Sequence, residues 1–296
     1  MASTSAIVLT GAAGFIGSYV LGYLNRKGIT NILIVDDFSE DEKKPNYEGK
    51  QYIARVEREQ LFEWLKDAKP EVEFFCHLGA RTDTTEFDYS IHQRLNVEYS
   101  KHVWEFCTGH SVPLVYASSA ATYGGGEWGY REDTDMLPKL SPLNPYGVSK
   151  NEFDKWAIAQ EQAPPFWAGL KFFNVYGPNE YHKARMASVV LHAFNQISST
   201  GRVKLFRSHR KDIGDGEQSR DFIHVEDVTE IIFWMYQCVG NRASTGRHSP
   251  PSGIYNVGTG QARTFGDLAH AIFHSLGRPV DIEFIDTPED IRDKYQ

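Results

Sequence analysis

Thr10-Gly11-Ala12-Ala13-Gly14-Phe15-Ile16-Gly17 decides the fold. The stretch follows a short apolar run, Ala6–Thr10, and opens onto an amphipathic pattern that begins at Phe15, so the three glycines sit where a strand turns into a helix. There the first glycine permits a tight turn. The second lets backbone amides approach a pyrophosphate, and the third lets the helix pack closely on the strand, with its N-terminus favouring the anion. A glycine triplet alone is common turn chemistry. Here a second β-rich run ends in Asp36-Asp37, at about the distance downstream where an acid bonds the adenine ribose. The pattern predicts a dinucleotide site that includes Gly11, Gly14, Phe15, Ile16, Gly17, Asp36 and Asp37. A carboxylate at Asp36 favours the free ribose hydroxyls of NAD. Lys43 and Lys44 follow on a polar loop, where they either neutralise the ribose phosphate of NADP or are solvated charges; spacing leaves both readings open.

Outward from this turn, Asn31–Val35, Val72–Leu78, Leu114–Ala117 and Gly169–Phe173 read as further buried strands. Helical patterns follow Phe15 and Pro145 and cover Glu59–Lys66 and Tyr99–Cys107. Alternation of this kind predicts an α/β, Rossmann-like, doubly wound parallel sheet covered on both faces. Beyond it, Val203–Phe206, Phe222–Val225, Gly253–Val257 and Val280–Ile285 are short strands among polar segments, and Ser208–Gly216 and Asn241–Ser252 read as exposed loops. The expected division is a dinucleotide-binding domain over 1–170 and a smaller, mainly substrate-binding C-terminal lobe over 171–296, interleaved with the first.

The 296 residues and 41% hydrophobic content suffice for a full core. A net charge of -8 argues against a nucleic-acid partner, which would need a clustered excess of Lys and Arg. No run is long and apolar enough for a membrane span, and the N-terminus lacks the pattern of a secretion signal, so the expected location is the cytoplasm. Three scattered cysteines, Cys76, Cys107 and Cys238, suit buried small hydrophobes better than a disulfide framework or a metal cluster.

Tyr146-Gly-Val-Ser-Lys150 sets a phenol and an ammonium four residues apart on one face of a predicted helix. A phenol with a pKa near 10 is about 0.1% ionised at neutral pH, and a competent base for an alcohol needs a shift of roughly three units, or about 4 kcal/mol. A nearby lysine cation pushes in that direction. Ser118-Ser119 adds a hydroxyl at the carboxyl end of a sheet strand, where a substrate oxygen can be hydrogen-bonded.

Together the glycine turn, Ser119 and Tyr146-x-x-x-Lys150 resemble the extended short-chain dehydrogenase/reductase family across nearly the whole chain. The resemblance implies that Tyr146 is the acid/base, that Lys150 binds the nicotinamide ribose and tunes the phenol, and that Ser119 orients the substrate oxygen. It also implies that Leu78, Gly79, Ala80, Asn96 and Val175 line the cofactor. Asn174-Val-Tyr-Gly-Pro178 is similar to the nucleotide-sugar enzymes of that family. His182-Lys183 followed by Met-Ala-Ser-Val189 resembles its branch acting on the sixth carbon of ADP-activated heptose, as do Ser118–Gly125, Lys204-Leu-Phe206, Arg220-Asp-Phe222 and Lys294-Tyr-Gln296. By this resemblance Lys183 is a second catalytic acid/base group, and Asn174, Arg185, His192, Phe206, Ser208, Arg220 and Tyr295 bind an ADP-heptose substrate. The implied cofactor is NADP, with NAD as the alternative and Lys43 at the added phosphate; the implied assembly is a homo-oligomer. Arg185 stands where the resemblance leads one to expect a small residue. Competing readings are a nucleotide-sugar 4-epimerase or dehydratase, and a non-catalytic dinucleotide sensor. Ser119-Ala120-Ala121 lacks the acidic pair a dehydratase uses, and a sensor has no need of Tyr146 and Lys150.

Overall fold

A computed structural model describes residues 5–240 and 250–288. Tyr295 and the Lys294-Tyr-Gln296 ending lie outside the described residues, as does most of the 241–252 segment. The chain divides into two compact units, one formed by the chain up to Phe172 with Val225–Asn256, the other by Phe173–His224 with the chain from Val257 onward.

The first unit is built on strands β1 (Ala6–Thr10), β2 (Ile32–Asp36), β3 (Ala54–Glu57), β4 (Val72–His77), β5 (Leu114–Ser119) and β6 (Trp167–Phe172). With the strand Gly253–Val257 they form a seven-stranded sheet, in the order Gly253–Val257, β6, β5, β4, β1, β2, β3. β1 to β6 pair in parallel. The order reverses between β1 and β4, and in open α/β sheets ligands bind outside the carboxyl ends of the strands at such a point. Every residue of β1 is buried, as a central strand covered on both faces requires.

Helices α1 (Phe15–Arg26), α2 (Leu61–Ala68), α3 (Tyr99–Gly109) and α4 (Pro145–Ile158) lie on the faces, with Val225–Gly240. α1 begins at Gly14 and buries Val20, Leu21 and Leu24, each removal from water contributing about 1.5–3 kcal/mol. α4 starts where Pro145 has its fixed φ suited to a first turn and the Asn144 side chain accepts the Gly147 amide at 2.8 Å. One face of the sheet, through Val8, Leu33, Phe75 and Leu114, packs on Leu61, Val103, Trp104 and Phe153. Cys76, Cys107 and Cys238 are all buried. β3 escapes the sequence reading because it is an edge strand with Val56 as its one buried residue.

The second unit pairs Asn174–Tyr176 with Phe222–His224, Ser219–Arg220 with Arg263–Thr264, and Val203–Phe206 with Ile282–Ile285. Helices Val189–Thr200 and Phe265–Ser275 enclose its core of Ala193, Ile197, Leu205, Ala269 and Phe273. Among the described residues no helix is long and apolar enough to cross a membrane.

Candidate active site

The glycine turn has the geometry its sequence requires. Gly11 sits at φ +71°, and a Cβ there would stand 2.7 Å from the Gly79 amide nitrogen. At Gly17 a Cβ would come within 2.1 Å of the Gly11 carbonyl oxygen. No side chain caps the first turn of α1 and no acid stands in it, which leaves the positive helix end to an anion. Asp36 accepts the Ala13 amide at 2.9 Å and the Asp37 amide at 2.8 Å, so its carboxylate is tied to the turn. Lys43 lies 3.6 Å from Asp36 and 3.2 Å from Glu40. Asp37 is held below the usual carboxylate range by the hydroxyl and amide of Ser39, with Arg58 adding to the effect. An uncapped helix end, a backbone stripped of side chains and an acid at the end of β2 fit a dinucleotide.

From this turn a chain of hydrogen bonds runs to α4. The Gly79 amide donates to Thr10 Oγ1 at 3.1 Å, and Thr10 Oγ1 meets His77 Nδ1 at 2.6 Å. His77 Nε2 meets Ser100 Oγ at 2.9 Å, and Ser100 donates onward to the Asn96 carbonyl. Ser100 therefore accepts from Nε2–H, and Nδ1 accepts from Thr10, which assigns one neutral tautomer. The Asn96 amide donates to Ser149 Oγ at 2.9 Å, and Ser149 donates to the Tyr146 carbonyl at 2.7 Å. Asn96 is fully buried and also binds both backbone polar groups of Arg81. Its place is beneath the Leu78–Arg81 loop, as a clamp.

Burial, aided by the Lys150 charge, lowers the His77 pKa to about 3. The folded value lies below the unfolded one of 6.5. The unfolded chain thus binds the extra proton, and stability falls as pH drops from about 6.5 toward 3, by up to about 1.4 kcal/mol per unit. Thermal melts across mildly acidic pH are expected to show this decline, and His77→Asn to flatten it.

Ser119 closes β5 and its Oγ accepts the Ala121 amide at 3.1 Å, leaving its proton to donate. Its hydroxyl lies close enough to the half-buried Tyr146 phenol to favour the ionised form. Burial pushes that phenol up, the Ser119 hydroxyl pulls it down, and the Asp154 charge pushes it up again. Lys150 is buried and donates to the Ala117 carbonyl at 2.7 Å. Loss of hydration lowers its pKa to about 8, against the pull of Asp154. Ser119, Tyr146 and Lys150 thus come together at the carboxyl end of β5, as their spacing suggested.

In the second unit Glu180 is buried and accepts the Gly177 amide and both the amide and hydroxyl of Ser188, folding the intervening loop around itself. Lys183 rides on this loop, half-buried; burial lowers its pKa and Glu180 opposes the fall. Ala184 follows at φ 45° and ψ -123°, a conformation costing of order 1–3 kcal/mol that only its surroundings can hold. His192 Nε2 stands 3.4 Å from the Arg185 carbonyl, and the Asn174 side-chain amide donates to the Asp221 carbonyl at 3.3 Å. Val175 is the central residue of its short strand. Arg220 donates to the Ser219 carbonyl and lies over the Phe265 ring. Phe206 ends its strand, and Ser208 is held by Asp215 and Arg210 in the loop beyond. Asp154 and Lys171, buried beside the reactive group, belong to no motif recognised in the sequence. The available signal was a lysine inside an apolar strand, Trp167-Ala-Gly-Leu-Lys-Phe172.

The chain is 44% identical, over 98% of its length and 87% of the relative's, to an ADP-L-glycero-D-manno-heptose-6-epimerase of Fusobacterium nucleatum. A protein of the same name from Nitratidesulfovibrio vulgaris is 42% identical over 98% of this chain and 87% of its own. Among solved structures, the Helicobacter pylori ADP-L-glycero-D-manno-heptose-6-epimerase superposes with a TM-score of 0.75 at 26% identity, covering 99% of this chain and 91% of that one. The model of the NAD dependent epimerase/dehydratase family matches residues 7–258, from the first strand through the glycine turn and the Ser119–Tyr146–Lys150 group, and the chain belongs to that family.

Proposed function

We propose that the chain inverts the sixth carbon of an ADP-activated heptose, interconverting the D-glycero and L-glycero forms of ADP-manno-heptose by transient oxidation. The observation that carries this reading is the grouping of Ser119, Tyr146 and buried Lys150 at the carboxyl end of β5, in a chain 44% identical to a relative named for that activity. When bound, the nicotinamide supplies a reversible hydride acceptor. The Tyr146 phenolate takes the proton from the hydroxyl on the sixth carbon of one epimer, and in the reverse direction the phenol gives it back; Ser119 orients that oxygen, and the Lys150 charge favours the phenolate. Inversion exposes two faces of the intermediate in turn and so calls for two proton-transfer groups; Lys183 is the second. Asn174, Arg185, His192, Phe206, Ser208, Arg220 and Tyr295 hold the ADP-heptose through contacts remote from the reacting carbon.

NADP is the proposed cofactor, with Lys43 contributing a cation at the end of β2 beside Asp36. Lys43→Ala is expected to weaken NADP binding about tenfold while leaving NAD little changed, since one charge-assisted bond to phosphate is lost. Titration calorimetry with both dinucleotides checks it; equal losses would point to a structural role for Lys43. A cytoplasmic location and, from the sequence resemblance, assembly as a homo-oligomer complete the reading.

The deciding experiment incubates the purified, cofactor-loaded protein with ADP-D-glycero-D-manno-heptose and follows the sixth-carbon proton by NMR. The expected result is interconversion of the two epimers with no net change in cofactor oxidation state. Loss of water, inversion at the fourth carbon, or an unchanged sugar would each overturn the reading.

A further inference from the structure

Beside the Ser119–Tyr146–Lys150 group lies a second polar cluster, wholly buried. Asp154 on α4 accepts from Tyr116 Oη at 3.0 Å, Ser118 Oγ at 2.6 Å and Lys171 Nζ at 2.7 Å. Lys171, on β6, also donates to Thr122 Oγ1 at 2.6 Å and stands 5.2 Å from the centre of the Tyr123 ring. The two charged side chains are 1% and 0% exposed. A buried ion pair is a poor device for stability, because an apolar pair of similar shape avoids the desolvation of both charges. Its position offers another reason for it. Ser118 precedes Ser119, Thr122 donates to the Ser119 carbonyl at 2.8 Å, and Asp154 lies one helical turn beyond Lys150. The cluster therefore grips the chain on either side of the reactive groups.

We infer that Lys171 is a positioning residue for this site: its ammonium cancels the Asp154 carboxylate, so that the clamp between β5 and α4 is held without leaving a net negative charge near the Tyr146 phenol. An unopposed carboxylate there would disfavour the phenolate. Among the described residues, no cation other than Lys171 is in contact with Asp154. Lys150 on the same helix feels the Asp154 charge but donates to the Ala117 carbonyl, so the cation bonded to that carboxylate is Lys171, and the His92 ring lies 6.5 Å from that of Tyr146. Tyr116 and Tyr123 are pushed up by burial and stay neutral, as does His77. Glu152, also on α4, is bound by the Tyr89 hydroxyl.

This inference rests on Tyr146 being the acid/base, and its test needs no sugar. In protein labelled with carbon-13 at the tyrosine Cζ, Tyr146→Phe assigns the Tyr146 signal, which is then titrated by NMR. Lys171→Gln keeps two donors for Asp154 and Thr122 and removes the charge. It is expected to move the Tyr146 midpoint upward by about half a unit or more. Lys171→Arg should leave the midpoint in place, and Lys171→Met combined with Asp154→Asn should return it to the wild-type value. Should Lys171→Gln fail to fold by thermal melting, Lys171→Met carries the same expectation. A midpoint unmoved in a folded single variant overturns the inference, as does a double variant that stays shifted. Absence of epimerase activity would sink the proposed function while this titration still stood. Epimerisation with an unmoved midpoint would sink the role of Lys171 alone.

Discussion

Tyr146→Phe is expected to fold, bind dinucleotide with near-unchanged affinity, and lose about 10²–10⁴-fold in kcat, the range for removing a general acid/base. The substitution deletes one oxygen from a half-buried ring and leaves Ser119 with its Ala121 partner, so little packing is disturbed. What disappears is the group that accepts the sugar proton. Because the phenol starts from a raised pKa, through burial and Asp154, the wild-type rate should climb with pH along the acid limb. Such a limb should be missing from the residual activity of the variant. Lys183→Met supplies the contrast: with Tyr146 intact, one face of the substrate is still oxidised. Reduced cofactor should then accumulate without epimer formation. Stopped-flow absorbance of the nicotinamide separates the two variants. Full epimerisation by either one would remove that residue from the mechanism.

Gly17→Ala carries the second large effect. Its Cβ would meet the Gly11 carbonyl oxygen at 2.1 Å and the Gly11 carbonyl carbon at 2.7 Å. Both are backbone atoms, so relief requires α1 to lift from the turn, as in other overpacked cores at about 1–3 kcal/mol or more. The lift opens the helix end that faces the anion. Dinucleotide affinity should therefore fall at least about tenfold, since a loss of about 1.4 kcal/mol already has that size. Melting temperature should fall in the same variant. Calorimetric titration beside a thermal melt checks both, and an unaltered affinity would mean that this helix end does not cradle the cofactor.

The sequence was most legible where one residue type is forced by geometry. Glycines at Gly11 and Gly17 are demanded by backbone contacts too close for any side chain, so their spacing carried the fold. The parallel strands were legible because burial on both faces leaves continuous apolar runs such as Ile32-Leu-Ile-Val35. β3 was not, because a strand at the edge needs only Val56 inside and otherwise looks like loop. The grouping of Ser119, Tyr146 and Lys150 was legible through fixed spacing on one helix and one strand end. Asp154 and Lys171 were not, since their pairing depends on the register of β6 against β5 and on the placement of α4 across them, which no local pattern records. For Asn96 the resemblance indicated proximity to the cofactor loop. The division of its amide between Arg81 and Ser149 belongs to tertiary structure.

The hydrogen bonds that lead from Gly79 through Thr10, His77, Ser100, Asn96 and Ser149 to Tyr146 are complete in the chain by itself. The entropy of ordering the glycine turn and the helix that carries Tyr146 is therefore met once, during folding, and not at each ligand encounter. In the proposed reaction such pre-organisation keeps the two in alignment through both half-reactions, while the sugar alone reorients.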